Sequence, residues 1–270
     1  MVTSTASGPR AGRSTGLGIR LGTPAALLAL AAVGWWWSTR MAGHLTGDVT
    51  SPTGMGGGTA TDMAGDEAMS FVAFLVAWLA MMAAMMFPAI TPVVKLYGRA
   101  AAAGRVAPLP FFVAGYIVVW GSVGVPAYVA WRWLMDPIAE GRSLAARLAG
   151  VALLAAAAWQ LTPLKRACLR HCRSPISFFL RFGAKVARPG GALRMGATHG
   201  VFCLGCCWAL MAVLVAVGTM HLAWMIALAL LILVEKDTPI GERVARLASV
   251  ALLSVGVGLL VRPEILTALT

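Results

Sequence analysis

The chain has 270 residues, 59% of them hydrophobic and 12% charged, with a formal charge of +12. Soluble domains are about 45–50% apolar and about 25% charged, so an ordinary soluble fold is excluded; it would leave large apolar patches in water. The basic residues sit in a few segments between apolar runs, which excludes nucleic acid as the reason for the charge, and strand-type alternation is missing, which excludes a membrane barrel.

Residues 1–20 are rich in Gly, Ser and Thr, carry Arg10, Arg13 and Arg20 and no acid, and read as a disordered cytoplasmic tail. Residues 21–37 are apolar and close on Trp35, Trp36 and Trp37, an aromatic belt. No small-residue cleavage site clearly follows, so this segment reads as a retained anchor rather than a signal peptide. Residues 38–68 form an extracytoplasmic loop of Gly, Thr, Met and His with Asp48, Asp62, Asp66 and Glu67. Six further apolar segments follow within 69–262: Met69–Val94, Pro110–Leu134, Leu144–Leu164, Gly196–Val217, Leu222–Val234 and Arg243–Val261. Pro88 and Pro92 are expected to kink or end the second of the seven spans. Gly218–His221 reads as a tight turn, and residues 263–270 as a short tail.

The expectation is an all-α, polytopic bundle of about seven transmembrane helices in the inner (plasma) membrane, with the lipid bilayer as solvent. Lys95, Arg99 and Arg105 follow the second span, and eight basic residues from Lys165 to Arg194 fill a loop at 165–195 after the fourth. The other loops are balanced or acidic. Positive charge on the cytoplasmic side then puts the N-terminus inside and the C-terminus outside.

Two sulfur-rich stripes carry the chemistry. Met81 and Met85 lie one helical turn apart, as do Met82 and Met86, so their thioethers share faces. Thioether sulfur is soft and uncharged and suits Cu(I), although methionine is also a common apolar packer. Cys203, Cys206 and Cys207 stand at i, i+3 and i+4, with Met211 a turn further and His199 a turn before. Three thiols on one face exceed what packing needs, even though buried cysteine can act as a small hydrophobe. At 1.5 Å per residue, Met81–Met86 lie about 13–21 Å inward from Lys95, and Cys203–Cys207 about 13–20 Å inward from Arg194. Spans two and five would make one thiolate–thioether site if they pack together, and Gly200 and Gly205 would permit a close approach.

The basic loop adds Cys168, His171 and Cys172. Cys168 and Cys172 face the same way if the segment is helical, and neighbouring arginines favour thiolates while repelling a bare cation. The segment reads as a hand-over site or, alternatively, as a basic loop binding anionic lipid. Met41, His44, Met55, Met63 and Met69 in the outer loop, with Met220 and His221 in the later turn, form an irregular set suited to capture or to a plain linker. Glu235 and Lys236 read as interface markers at the end of span six. The chain's five cysteines, an odd number, give no disulfide framework.

The combination Met81-Met82-x-x-Met85-Met86-Phe87-Pro88, Thr162-Pro163-Leu164-Lys165-x-x-Cys168-Leu169-x-x-Cys172-x-x-Pro175, Gly200-x-x-Cys203-Leu204-Gly205-Cys206-Cys207-Trp208-x-Leu210-Met211 and Glu235-Lys236 resembles a bacterial family of predicted metal-binding integral membrane proteins of unknown function. The resemblance covers roughly residues 69–245 and implies metal binding without naming a direction of transport.

Three classes of function follow. The first is binding, translocation or delivery of a soft metal, foremost Cu(I), to a metallochaperone or a membrane oxidase. No phosphate loop is present, so this chain would not drive transport with ATP. The second is a quinone-coupled thiol–disulfide oxidoreductase using Cys203, Cys206 or Cys207 with Cys168 or Cys172. The third is a scaffold subunit with sulfur-rich packing. No catalytic residue is assigned.

Overall fold

The computed structural model describes residues 25–36, 39, 70–139, 143–174, 179, 183–217 and 222–263. These residues form helices α1 (Ala25–Trp36), α2 (Phe71–Ala102), α3 (Leu109–Ala139), α4 (Ser143–Leu161), α5 (Pro163–Arg173), α6 (Pro189–Val217), α7 (Leu222–Asp237) and α8 (Gly241–Val261), with a short 3₁₀ turn over Gly183–Ala187. The protein is an all-α, multi-span membrane helix bundle.

Of the expected seven spans, the structure shows a smaller number by length and composition among the described residues. Four helices are long and apolar enough to cross a membrane, and a fifth is added if α4 and α5 count as one broken span. α1 keeps 12 residues and α7 keeps 16. At 1.5 Å per residue these reach about 18 and about 24 Å, short of a hydrocarbon core of about 30 Å. The predicted tail 1–20, the outer loop 38–68 with Met41, His44, Met55, Met63 and Met69, the turn with Met220 and His221, and the tail from residue 264 on lie outside the described residues.

α2 starts at Ser70, whose hydroxyl accepts from the Ala73 N–H, and runs through Pro88 and Pro92 for 32 residues. The prolines therefore do not end it. The Thr91 hydroxyl donates to the Phe87 carbonyl within this stretch, and neighbouring helices tolerate the lost backbone bonds.

Within the basic segment, Pro163–Arg173 form a helix. Thr162 is extended, as a residue before proline should be, and its hydroxyl accepts from the Lys165 N–H. Pro163 then takes the first helical position, where its missing N–H costs nothing. The chain bends by 67° between α4 and α5 at this point. α5 buries Lys165 and Leu169 against the bundle.

α6 is the central helix. Of its most apolar window 67% is buried, against 28% for α3 and α8. It packs on α3, α4 and α5, while α2 packs on α3 and α7, and α8 on α4 and α7. The α3–α6 crossing is close because Gly115 lies against the Leu193 carbonyl and Gly196 against the Phe112 carbonyl, leaving no room for a β-carbon on either. Outward faces carry Val118, Val129, Leu247, Val250 and Val261, the apolar surface that hydrocarbon solvent demands.

Candidate metal centre

The helical periodicity of α6 places Cys203, Cys206 and Cys207 on one buried stripe, as the spacing predicts. Their hydrogen atoms are engaged locally. The Cys206 thiol donates to the Cys203 carbonyl at 3.0 Å, and the Cys207 thiol donates to the same oxygen at 2.9 Å. The Cys203 sulfur lies 3.1 Å from the Tyr116 hydroxyl of α3 and accepts from the Lys236 ammonium of α7 at 3.0 Å. That ammonium also reaches the Met86 sulfur of α2 at 3.7 Å.

The fold-back of α5 brings the remaining cysteines to this stripe. Cys168 and Cys172 are one turn apart on the same face. The Cys172 and Cys206 side chains lie near enough to interact across the two helices. Cys168 lies over Gly205, where a β-carbon would come within 2.7 Å of its sulfur. The absence of a side chain at Gly205 is therefore what admits Cys168. The Trp159 indole donates to the Gly205 carbonyl at 3.1 Å and its ring meets Trp208 edge-on at 5.1 Å, fixing α4 to the same turn of α6.

A polar network holds α5 in place. Lys165 and Glu235 form a buried ion pair at 2.6 Å, and the Gln160 amide donates to the other Glu235 oxygen at 2.8 Å. The Arg173 guanidinium donates to the Glu235 carbonyl at 2.9 Å through Nε, a second time through Nη2, and to the Thr238 carbonyl at 2.6 Å. These contacts staple both ends of α5 to the end of α7, the element that supplies Lys236.

All five cysteines thus converge, and Met86 joins them through Lys236. The two sulfur stripes meet by this route, through Lys236 at the end of α7, and the helix packed most heavily on α6 is α3. Met81, Met82, Met85 and Met211 are buried in the apolar core. Met82 lines an apolar cavity of about 410 Å³ between α1, α2 and α3. His171 stacks flat on Phe202 at 4.3 Å, and its Nδ1 lies 2.9 Å from the Ala167 carbonyl. His199 is buried with its ring 6.0 Å from Phe112 and 6.1 Å from Tyr116.

Among the described residues no three His, Cys, Asp or Glu side chains stand ready around a common metal position. The reason is local: the Cys206 and Cys207 thiols point back at the Cys203 carbonyl, and an ammonium sits on the Cys203 sulfur. The donor set is soft and close together, but gathering it round one ion requires side-chain rotation. Such rotations pass between staggered wells and leave the backbone in place.

Lys236, Tyr116 and the Lys165–Glu235–Gln160 network are the site residues that sequence reasoning missed. A charged pair directly after the apolar run 222–234 is the signal that was present. Its burial depends on α5 folding back.

A family model described as PpoB2, copper chaperone, matches residues 75–259. No curated protein and no solved structure matches the chain. The description names a copper function where the sequence resemblance implies metal binding alone. Because the match runs from α2 into α8 across more than half of the chain, the protein belongs to the PpoB2 copper-chaperone family.

Proposed function

We propose that this protein is a membrane-embedded copper chaperone that carries Cu(I) as cargo on the sulfur cluster between α5, α6 and α7. The observation that supports it is the convergence of Cys168 and Cys172 on Cys203, Cys206 and Cys207, with Met86 beside them. Thiolate and thioether are the ligands that select Cu(I) over hard ions. Cys172, Cys203 and Cys206 are the core ligands in this reading. Cys168 and Cys207 provide alternative positions, and Met86 supplies a neutral donor. Surplus donors allow an ion to pass from one to the next by ligand exchange, which is what hand-over to an acceptor requires. The acceptor is a copper-requiring membrane oxidase or a metallochaperone.

The orientation belongs to the same proposal. The basic stretches at 95–105 and 165–195 face the cytoplasm, α1 and α7 complete seven crossings by tilting or by local thinning of the bilayer, and the membrane is the inner one. The bonds from Arg173 to the end of α7 support a return of α7 to the side of the basic segment.

A second reading is favoured by one contact. Cys172 of α5 and Cys206 of α6 lie near enough to interact, a pairing that thiol–disulfide exchange would use. Metal content separates the two. Protein purified in detergent and loaded anaerobically with Cu(I) is expected to retain near-stoichiometric copper by elemental analysis. The Cys203→Ser/Cys206→Ser/Cys207→Ser variant is expected to retain almost none, and Met86→Leu to hold it more loosely. Wild-type protein that retains no copper, or a triple variant that retains as much, overturns the copper reading. A disulfide joining Cys172 to Cys206 in the copper-free protein would then support the redox one.

A further inference from the structure

The copper reading assigns no role to Lys236, the residue least suited to a soft cation site. An ammonium has three donors and no lone pair, so it cannot ligate a metal. Yet its side chain is buried, and its nitrogen lies between sulfurs of two different helices, 3.0 Å from Cys203 and 3.7 Å from Met86. These are the two donors that a Cu(I) ion bridging α6 and α2 would take. Glu235, the carboxylate next to it in the chain, is committed to Lys165 and Gln160. The Cys203 sulfur, taken as the thiolate, is the counter-charge that this buried ammonium touches, with the Asp237 carboxylate its other acidic neighbour in the chain, and a buried charge persists only when compensated.

We infer that Lys236 is a resident cation that Cu(I) must displace: its ammonium fills the gap between Cys203 and Met86 in the metal-free protein, leaves on loading, and on returning drives the ion out at hand-over. This inference rests on the copper reading. With Cys203 as the thiolate that accepts from Lys236, loading breaks the N–H···S hydrogen bond and forms Cu–S bonds to Cys203 and Met86, and no thiol proton has to leave. The ammonium keeps its three protons, and neither copper nor sulfur changes oxidation state. Two positive charges cannot share one gap in a low-dielectric interior, so ion and ammonium alternate. The four-carbon lysine stem allows the swing without backbone movement. The consequence matters for a chaperone. A multi-thiolate site binds Cu(I) tightly and releases it slowly, and an internal competitor speeds the release while keeping the site soft.

The test compares wild type, Lys236→Leu and Lys236→Arg, each loaded anaerobically with Cu(I) and mixed with the chromogenic chelator bathocuproine disulfonate. Leucine removes the charge without adding a sulfur. Release from Lys236→Leu is expected to be about tenfold slower than from wild type, since affinity differences between related sites lie mostly in the off-rate. Lys236→Arg, which keeps the charge, should release close to the wild-type rate. A Lys236→Leu protein that loads fully and releases as fast as wild type overturns the inference and leaves the copper reading standing. A wild type that takes up no Cu(I) overturns both. If Lys236→Leu does not fold, the wild type still decides the matter. Labelling of Lys236 by an amine-reactive ester, read by peptide mass spectrometry, should rise on loading with Cu(I). Unchanged labelling overturns displacement.

Discussion

Glu235 shows what one charged residue can fix inside an apolar bundle. Its carboxylate holds Lys165 of α5 and Gln160 of α4, and its backbone carbonyl holds Arg173. The ion pair is buried on both sides, with 2% and 3% of the side chains exposed. Removing one partner of such a pair leaves an uncompensated buried charge, at a cost of about 3–5 kcal/mol. Lys165→Met should therefore lower the melting temperature in detergent sharply, and Lys165→Met/Glu235→Gln should regain much of the loss because no bare charge remains. Equal melting of Lys165→Met and wild type would show that the pair contributes nothing. The cysteine stripe was legible in the sequence because i, i+3, i+4 spacing forces Cys203, Cys206 and Cys207 onto one face whatever surrounds the helix. Lys236 was not legible as a site residue. A lysine ending an apolar helix ordinarily extends its amine to the interface, and only the fold-back of α5 shows that this one stays inside.

The element that makes the site is α5. The run 165–195 is basic enough to read as a cytoplasmic loop, and its composition hides that Thr162-Pro163 is a helix-start signal, so that its first part, through Arg173, is helical. Its docking depends on Gly205. An added β-carbon would stand 2.7 Å from the Cys168 sulfur, so Gly205→Ala forces that side chain to turn aside or α5 to move off α6, and either change disturbs the meeting of the α5 thiols with the α6 stripe. Overpacking of this kind costs about 1–3 kcal/mol. The compensating change is Cys168→Ala, which removes the sulfur that the new methyl strikes. We expect Gly205→Ala to lower both the melting temperature and the copper retained after dialysis. Adding Cys168→Ala should restore the melting temperature. If the double variant melts no higher than Gly205→Ala alone, the contact with Cys168 does not set the position of α5.

For the whole molecule, hydropathy identified every apolar helix that the structure describes, because a bilayer-length apolar run leaves few alternatives. Whether each one crosses is a different question, decided by length and by partners. α7 is the decisive case. It is short, but its last turn is bonded to α5 through Arg173 and Lys165, and in the proposed orientation a chain that leaves the basic side through α6 comes back to it through α7. On that proposal α8 then departs from the basic side, and the C-terminus ends on the opposite one. If α7 instead only dipped into the membrane, α8 would start from the far side and the C-terminus would share the cytoplasm with residues 165–195. Paired reporters distinguish these geometries. Green fluorescent protein fused after Arg105 or Arg188 should fluoresce, and alkaline phosphatase at the same points should be silent. At the C-terminus the pattern should invert, with active phosphatase and dark fluorescent protein. A fluorescent C-terminal fusion would mean that α7 does not cross, and the site would then have to be reached from a bundle with an even number of crossings between Arg188 and the end of the chain.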